Sequence, residues 1–177
     1  MASATLIPVS EYLNTSYRPD CDYIDGEVQE RNLGERDHAL LQGILIAIFY
    51  NHRKDWQAIA LPEQRVQVAP TRYRVPDLCI LHRSDPVEPI VRTAPWICIE
   101  IVSPEDRLQR LQERIDDYIA MGVGYIWVID PRTRHAWVAN TSGLLETHNG
   151  EFIVEGTPIR ISLAEVFAEF DEMQRPS

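Results

Sequence analysis

The 177-residue sequence predicts an α/β fold in which a mixed β-sheet is flanked by two main helices, with an N-terminal helix and hairpin and a C-terminal hairpin plus short helix. Three observations carry this. Apolar residues recur at helical spacing from Asp37 to about Lys54 (Leu40, Leu41, Ile44, Leu45, Ile48, Phe49) and again at Leu108, Leu111, Ile115 and Ile119. Short apolar runs bounded by turn residues fall between and after these stretches. One of them, Trp96 to Val102, is almost continuously apolar, as a central strand covered on both faces should be.

Residues 8–16 read as a short helix with Ser10 or its neighbour as cap. Cys21 to Gln29 alternates and contains Asp25-Gly26, so 21–31 is a candidate hairpin. After the first long helix come strand-like runs at Ala58 to Val68, Asp77 to His82 and Trp96 to Val102. Ser103-Pro104-Glu105-Asp106 then offers a helix start, with serine as N-cap, proline at the first helical position and Asp106 at the reciprocal capping-box position. That helix ends at Gly122 and Gly124. Tyr125 to Ile129 is a further strand, Asp130-Pro131 a turn and His135 to Ala139 the return; a hairpin around Asn149-Gly150 precedes a helix from about Leu163 to Phe170. No repeat or Gly/Ser linker divides the chain, so one domain is expected, with a core over about 10–140 and an extension over 141–177.

Composition narrows the function. With 45% hydrophobic and 25% charged residues the chain can bury a proper core. Its longest apolar stretch, Leu40 to Tyr50, is too short to span a bilayer, and Met1 to Thr5 lacks a basic or long apolar leader, so no membrane association, no signal peptide and a cytoplasmic location are expected. Cys79 and Cys98 sit inside apolar runs and read as small buried hydrophobes. A net charge of −10 argues against a broad nucleic-acid-binding surface, because phosphate neutralisation supplies most of such affinity, although a local basic cleft is compatible with it. Sixteen of the 17 basic residues are arginine; Lys54 is the only lysine. His52, His82, His135 and His148 lack zinc-site spacing, and no phosphate loop or Ser-His-Asp signature is present.

The sharpest feature is Glu100, which interrupts the most apolar run between Ile99 and Ile101. An ionised carboxylate there must be neutralised, paired or metal-bound. Asp77 is a similar intrusion, following Pro76 and opening Leu78-Cys79-Ile80-Leu81. If the two strands are neighbours, both acids converge on one sheet edge and can bind a hard cation such as Mg²⁺. The alternative for each is a salt bridge to a structural arginine such as Arg74 or Arg114.

These residues resemble a known family. Arg74-Val75-Pro76-Asp77, Ile99-Glu100-Ile101-Val102-Ser103-Pro104, Tyr118 to Gly122 and Tyr125 to Pro131 are similar to the Uma2 family, formerly a domain of unknown function, within the PD-(D/E)XK restriction-endonuclease-like nucleases. Tyr23 to Val28 and His38 extend the similarity, which covers roughly residues 10–140. The resemblance implies the restriction-endonuclease-like fold and a nuclease site acting on DNA. Asp77, Glu100 and the carbonyl of Ile101 would hold Mg²⁺, with Mn²⁺ as a possible substitute. The metal would polarise the scissile phosphate and activate a water. Glu27 and His38 match family positions for a further ligand or a water-orienting group. A homodimer is also implied, with 141–177 as a candidate interface.

The sequence departs from the pattern at one chemically important point. The superfamily's lysine, two residues after the second acid, is replaced by Val102. The lysine that substitutes for it in Uma2-like proteins corresponds to Arg114, four residues before Tyr118; Arg110 stands where a further acid is usual. Arginine stays protonated, so Arg114 can stabilise phosphate charge or pair with Glu100 but is a poor general base. Arg107, Arg110 and Arg114 form one helical stripe, which either contacts flanking phosphates or pairs with Glu105, Glu113 and Asp117. The expected function is a Mg²⁺-dependent endonuclease using Asp77, Glu100, Arg114, His38 and Glu27. The alternatives are a nuclease-fold binding module without cleavage, or a metal-dependent hydrolase of a small phosphoester.

Overall fold

The computed structural model describes residues 6–31, 35–104, 107–147 and 149–175. A short helix α1 (Val9–Asn14) precedes the hairpin β1 (Asp22–Ile24) and β2 (Glu27–Gln29). Its turn is Asp25-Gly26, both with positive φ, as a tight primed turn demands. The first long helix, α2 (Arg36–His52), leads to β3 (Ala58–Pro62), β4 (Val66–Ala69), β5 (Arg72–Arg74), β6 (Leu78–His82) and β7 (Ile97–Ile101). After helix α3 (Leu108–Met121) come β8 (Tyr125–Ile129), β9 (Ala136–Asn140), β10 (Gly143–Glu146), β11 (Glu151–Ile153), β12 (Arg160–Ser162) and helix α4 (Leu163–Gln174).

Six strands form the main sheet in the order β10-β9-β8-β7-β6-β3, while β2-β1-β5-β4 form a second sheet and β11-β12 a hairpin. In the main sheet β7 and β8 run parallel, joined through α3, and the other neighbours are antiparallel. Strand alternation then sorts the side chains. Ile97, Ile99 and Ile101 face one cluster with Leu41, Leu45 and Phe49 of α2 and Val166 and Phe170 of α4. Cys98 faces the other side, with Leu111, Ile115 and Tyr118 of α3. Glu100, two residues on from Cys98, shares that side.

Several expectations are corrected. The run from Ala58 to Val68 is not one strand: it breaks near Glu63, which has positive φ, so β3 edges the main sheet while β4 joins the second. The second long helix begins at Leu108, with Arg107 and not Ser103 at its N-cap. Strand pairing continues past β7, where the Val102 N–H donates to the Ile129 carbonyl, so the chain must clear the sheet before it can turn back. The capping-box positions Glu105 and Asp106 lie outside the described residues. Asn149-Gly150 turns no hairpin. The reversals are β9–β10 around Thr141-Ser142, where Asn140 Oδ1 accepts from the Ser142 N–H, and β11–β12. The C-terminal segment is also no extension beside the core. Phe152 stacks on Trp127 with centroids 4.5 Å apart, and Val154, Ile159, Ile161, Leu163, Val166 and Phe170 belong to the same buried cluster. Without them the outer faces of Trp127 and α2 would lie open. No helix among the described residues is long and apolar enough to cross a membrane.

Candidate active site

Asp77 directly precedes β6, and Glu100 lies on β7. These strands pair antiparallel with Leu78 opposite Ile99 and Cys79 opposite Cys98. One further step in this register sets Asp77 opposite Glu100, so both acids occupy one face at one end of the strand pair. Each is only 2% exposed.

Asp77 is held from three directions. Its Oδ2 accepts the Ile101 N–H at 2.7 Å, and its Oδ1 accepts from Arg31 Nη2 and lies 3.2 Å from His38 Nε2. Gln42, one turn along α2 from His38, donates to the Asp77 carbonyl at 2.9 Å and anchors the main chain. Glu100 is held from α3: Tyr118 donates its hydroxyl to Oε1 at 2.6 Å, and Arg114 Nε lies 3.0 Å from Oε2.

The environments drive the two acids apart. Burial works against the charge of Asp77, but the His38 hydrogen bond, the Arg31 guanidinium and the Ile101 amide together hold its carboxyl down at about 2. For Glu100 burial prevails and, with the neighbouring Asp77 charge, lifts the carboxyl to about 7 against the pull of Arg114, Arg31 and Tyr118. Burial also opposes the charged form of His38, yet its hydrogen bond to Asp77 and that acid's charge raise it overall. A pair of adjacent buried acids, one ionised and one poised near neutrality, can keep a proton, recruit arginines or take a cation.

Asp77, Glu100, His38 and Arg114 thus come together, and Ile101 joins them through its amide on Asp77, whereas the sequence reading named its carbonyl. Glu27 does not join them. It is exposed at the start of β2, paired through its main chain with Ile24, and its side chain makes no hydrogen bond or ion pair among the described residues. Arg107 and Arg110 are exposed at the start of α3. Of the pairing partners considered for them, Glu105 lies outside the described residues, Glu113 accepts from Gln109 Nε2 at 3.1 Å, and Asp117 accepts from Arg74 Nε at 2.6 Å and Arg72 Nη2 at 3.0 Å, while Arg74 Nη1 donates to Asp22 at 2.9 Å. Arg74 therefore braces the second sheet against α3 and does not touch Asp77.

Two site residues escaped the sequence reading of roles. Tyr118 carried a signal, since it lies on the buried stripe of α3 and a buried phenol needs a partner. Arg31 carried none. It follows a hairpin in the second sheet, 46 positions before the acid it meets.

The acid pair fits a hard divalent ion by the chemistry of its donors: two carboxylates on facing strands, one of them with a proton that a cation would displace. The match is lean. Among the described residues no three His, Cys, Asp or Glu side chains converge as a metal cage.

A mixed sheet with helices on both faces is the architecture of a nuclease-like fold. The structure is similar to the crystal structure of "a putative nuclease belonging to DUF820" from Anabaena variabilis, with a TM-score of 0.79 at 20% identity over 93% of this chain and 99% of that one. The chain belongs to the Uma2 family, described as "putative restriction endonuclease", whose model matches residues 9–165. No curated protein matches the sequence.

Proposed function

We propose that this protein is a divalent-metal-dependent endonuclease that hydrolyses DNA phosphodiester bonds, with Mg²⁺ held by Asp77 and Glu100 and with Mn²⁺ as a substitute. The placement of two buried carboxylates opposite each other across β6 and β7 carries this reading. Bound there, the metal would supply Lewis-acid activation of the scissile phosphate and of water.

The remaining work belongs to the chain. Asp77 and Glu100 bind the ion beside the main chain of Ile101. His38 orients Asp77, and Tyr118 orients Glu100, so neither acid is free to rotate away. Arg114 keeps its proton and offsets negative charge developing on the phosphate, leaving proton abstraction to other groups. Arg107 and Arg110, exposed on the same helix, meet the backbone on either side. The net charge of −10 confines nucleic-acid contact to the local surface that these arginines supply. A homodimer would bring two such sites to opposite strands.

Calorimetric titration of Mg²⁺ and Mn²⁺ into wild type, Asp77→Ala and Glu100→Ala comes first, followed by cleavage assays on duplex, single-stranded and branched DNA. Saturable binding is expected in the wild type and in neither variant, and folded Glu100→Ala should be inactive. Cleavage by a well-folded Glu100→Ala protein would sink the proposal. Metal binding without cleavage of any DNA would point to a small phosphoester substrate or to a binding module.

A further inference from the structure

Arg31 reaches the acid pair from outside the sheet that carries it. It stands two residues beyond β2, the outer strand of the second sheet, yet its Nη2 donates to Asp77 Oδ1. That oxygen also meets His38, and the other oxygen of Asp77 takes the Ile101 amide. A carboxylate has about four lone-pair positions, so an incoming cation finds most of those on Asp77 in use.

The three partners differ in how easily they can leave. The Ile101 amide is fixed by the main sheet. His38 sits in the first turn of α2, which Gln42 ties to the Asp77 carbonyl. Arg31 hangs on a long side chain after a three-residue edge strand that, among the described residues, pairs only with β1. It also brings a positive charge to the place a second cation needs, where the two repel in a poorly solvated setting.

We propose that Arg31 is a built-in counter-cation that competes with the divalent ion for Asp77, so that metal binding requires its guanidinium to leave that oxygen. It is a positioning residue that sets the metal threshold. This inference rests on the metal-site reading above.

The test is Mn²⁺ calorimetry on wild type, Arg31→Gln and Arg31→Lys, with thermal denaturation of each protein with and without Mn²⁺. Arg31→Gln should bind Mn²⁺ roughly tenfold or more tightly, the scale expected for removing a nearby like charge. It should also melt lower than wild type without metal and gain more from Mn²⁺. Arg31→Lys should stay near the wild-type affinity. Arg31→Met gives the same readout if the glutamine variant fails to fold. Equal or weaker binding by the neutral variants, with binding still lost in Asp77→Ala, would overturn the counter-cation while leaving the metal site intact. Absence of Mn²⁺ binding in every protein, neutral variants included, would instead overturn the metal site, and this inference with it.

Discussion

Glu100 and Asp77 lie face to face but respond oppositely to pH, and this sets the stability profile of the metal-free protein. Glu100 keeps its proton to about 7 when folded, against an ordinary value of 4.5, so its contribution is complete below 4.5 and is lost as the pH rises through 7. The raised His38 acts in the same direction above 6.5. Asp77 does the reverse: held at about 2 against 3.8, it stabilises above 3.8 and ceases to do so as the pH falls through 2. Urea unfolding should therefore show stability falling between pH 4.5 and 7.5, by an amount on the order of 2–3 kcal/mol. Glu100→Gln should flatten most of that slope, and a level wild-type profile would contradict the assignment. At this scale the acids were legible because an ionised group inside an apolar run has few explanations. Arg31 was not, because nothing local distinguishes it from a solvated arginine after a hairpin.

Among the elements, α3 ties the molecule together. One face closes the sheet with Leu111, Ile115 and Tyr118; Arg114 and Tyr118 reach Glu100; and Asp117 receives Arg72 and Arg74 from the second sheet. Asp117→Ala would leave the buried guanidinium of Arg74 on Asp22 alone, at a cost of about 3 kcal/mol measured by denaturant unfolding. A loss below about 1 kcal/mol would mean that the brace is worth no more than a surface ion pair. Helices were the most legible elements, since a 3.6-residue period survives any tertiary arrangement. Strand partners were less so. The run from Ala58 to Val68 carries no sign that its two halves enter different sheets, and Asn149-Gly150 is a good turn pair that joins β10 to β11 without pairing them.

For the whole molecule, the C-terminal third completes the core. Phe152 is fully buried against Trp127, and α4 packs beside α2. Phe152→Ala should cost about 3–5 kcal/mol, enough to unfold a marginally stable protein, with circular dichroism as the check. A mild effect would restore the view of 141–177 as an appendage. Burial here is decided by which apolar surface lacks a cover, wherever the family-like motifs end. The facing register of Asp77 and Glu100 has a consequence at this scale. Glu100 lies on β7 and Asp77 directly before β6, two interior strands of the main sheet, so their spacing cannot change without dismantling the sheet. The positive groups around them come from α2, α3 and a peripheral hairpin, through side chains long enough to be exchanged. The two halves of the site are thus unequally open to substitution. The negative half is bound to the architecture, while the positive half can be rewritten one residue at a time.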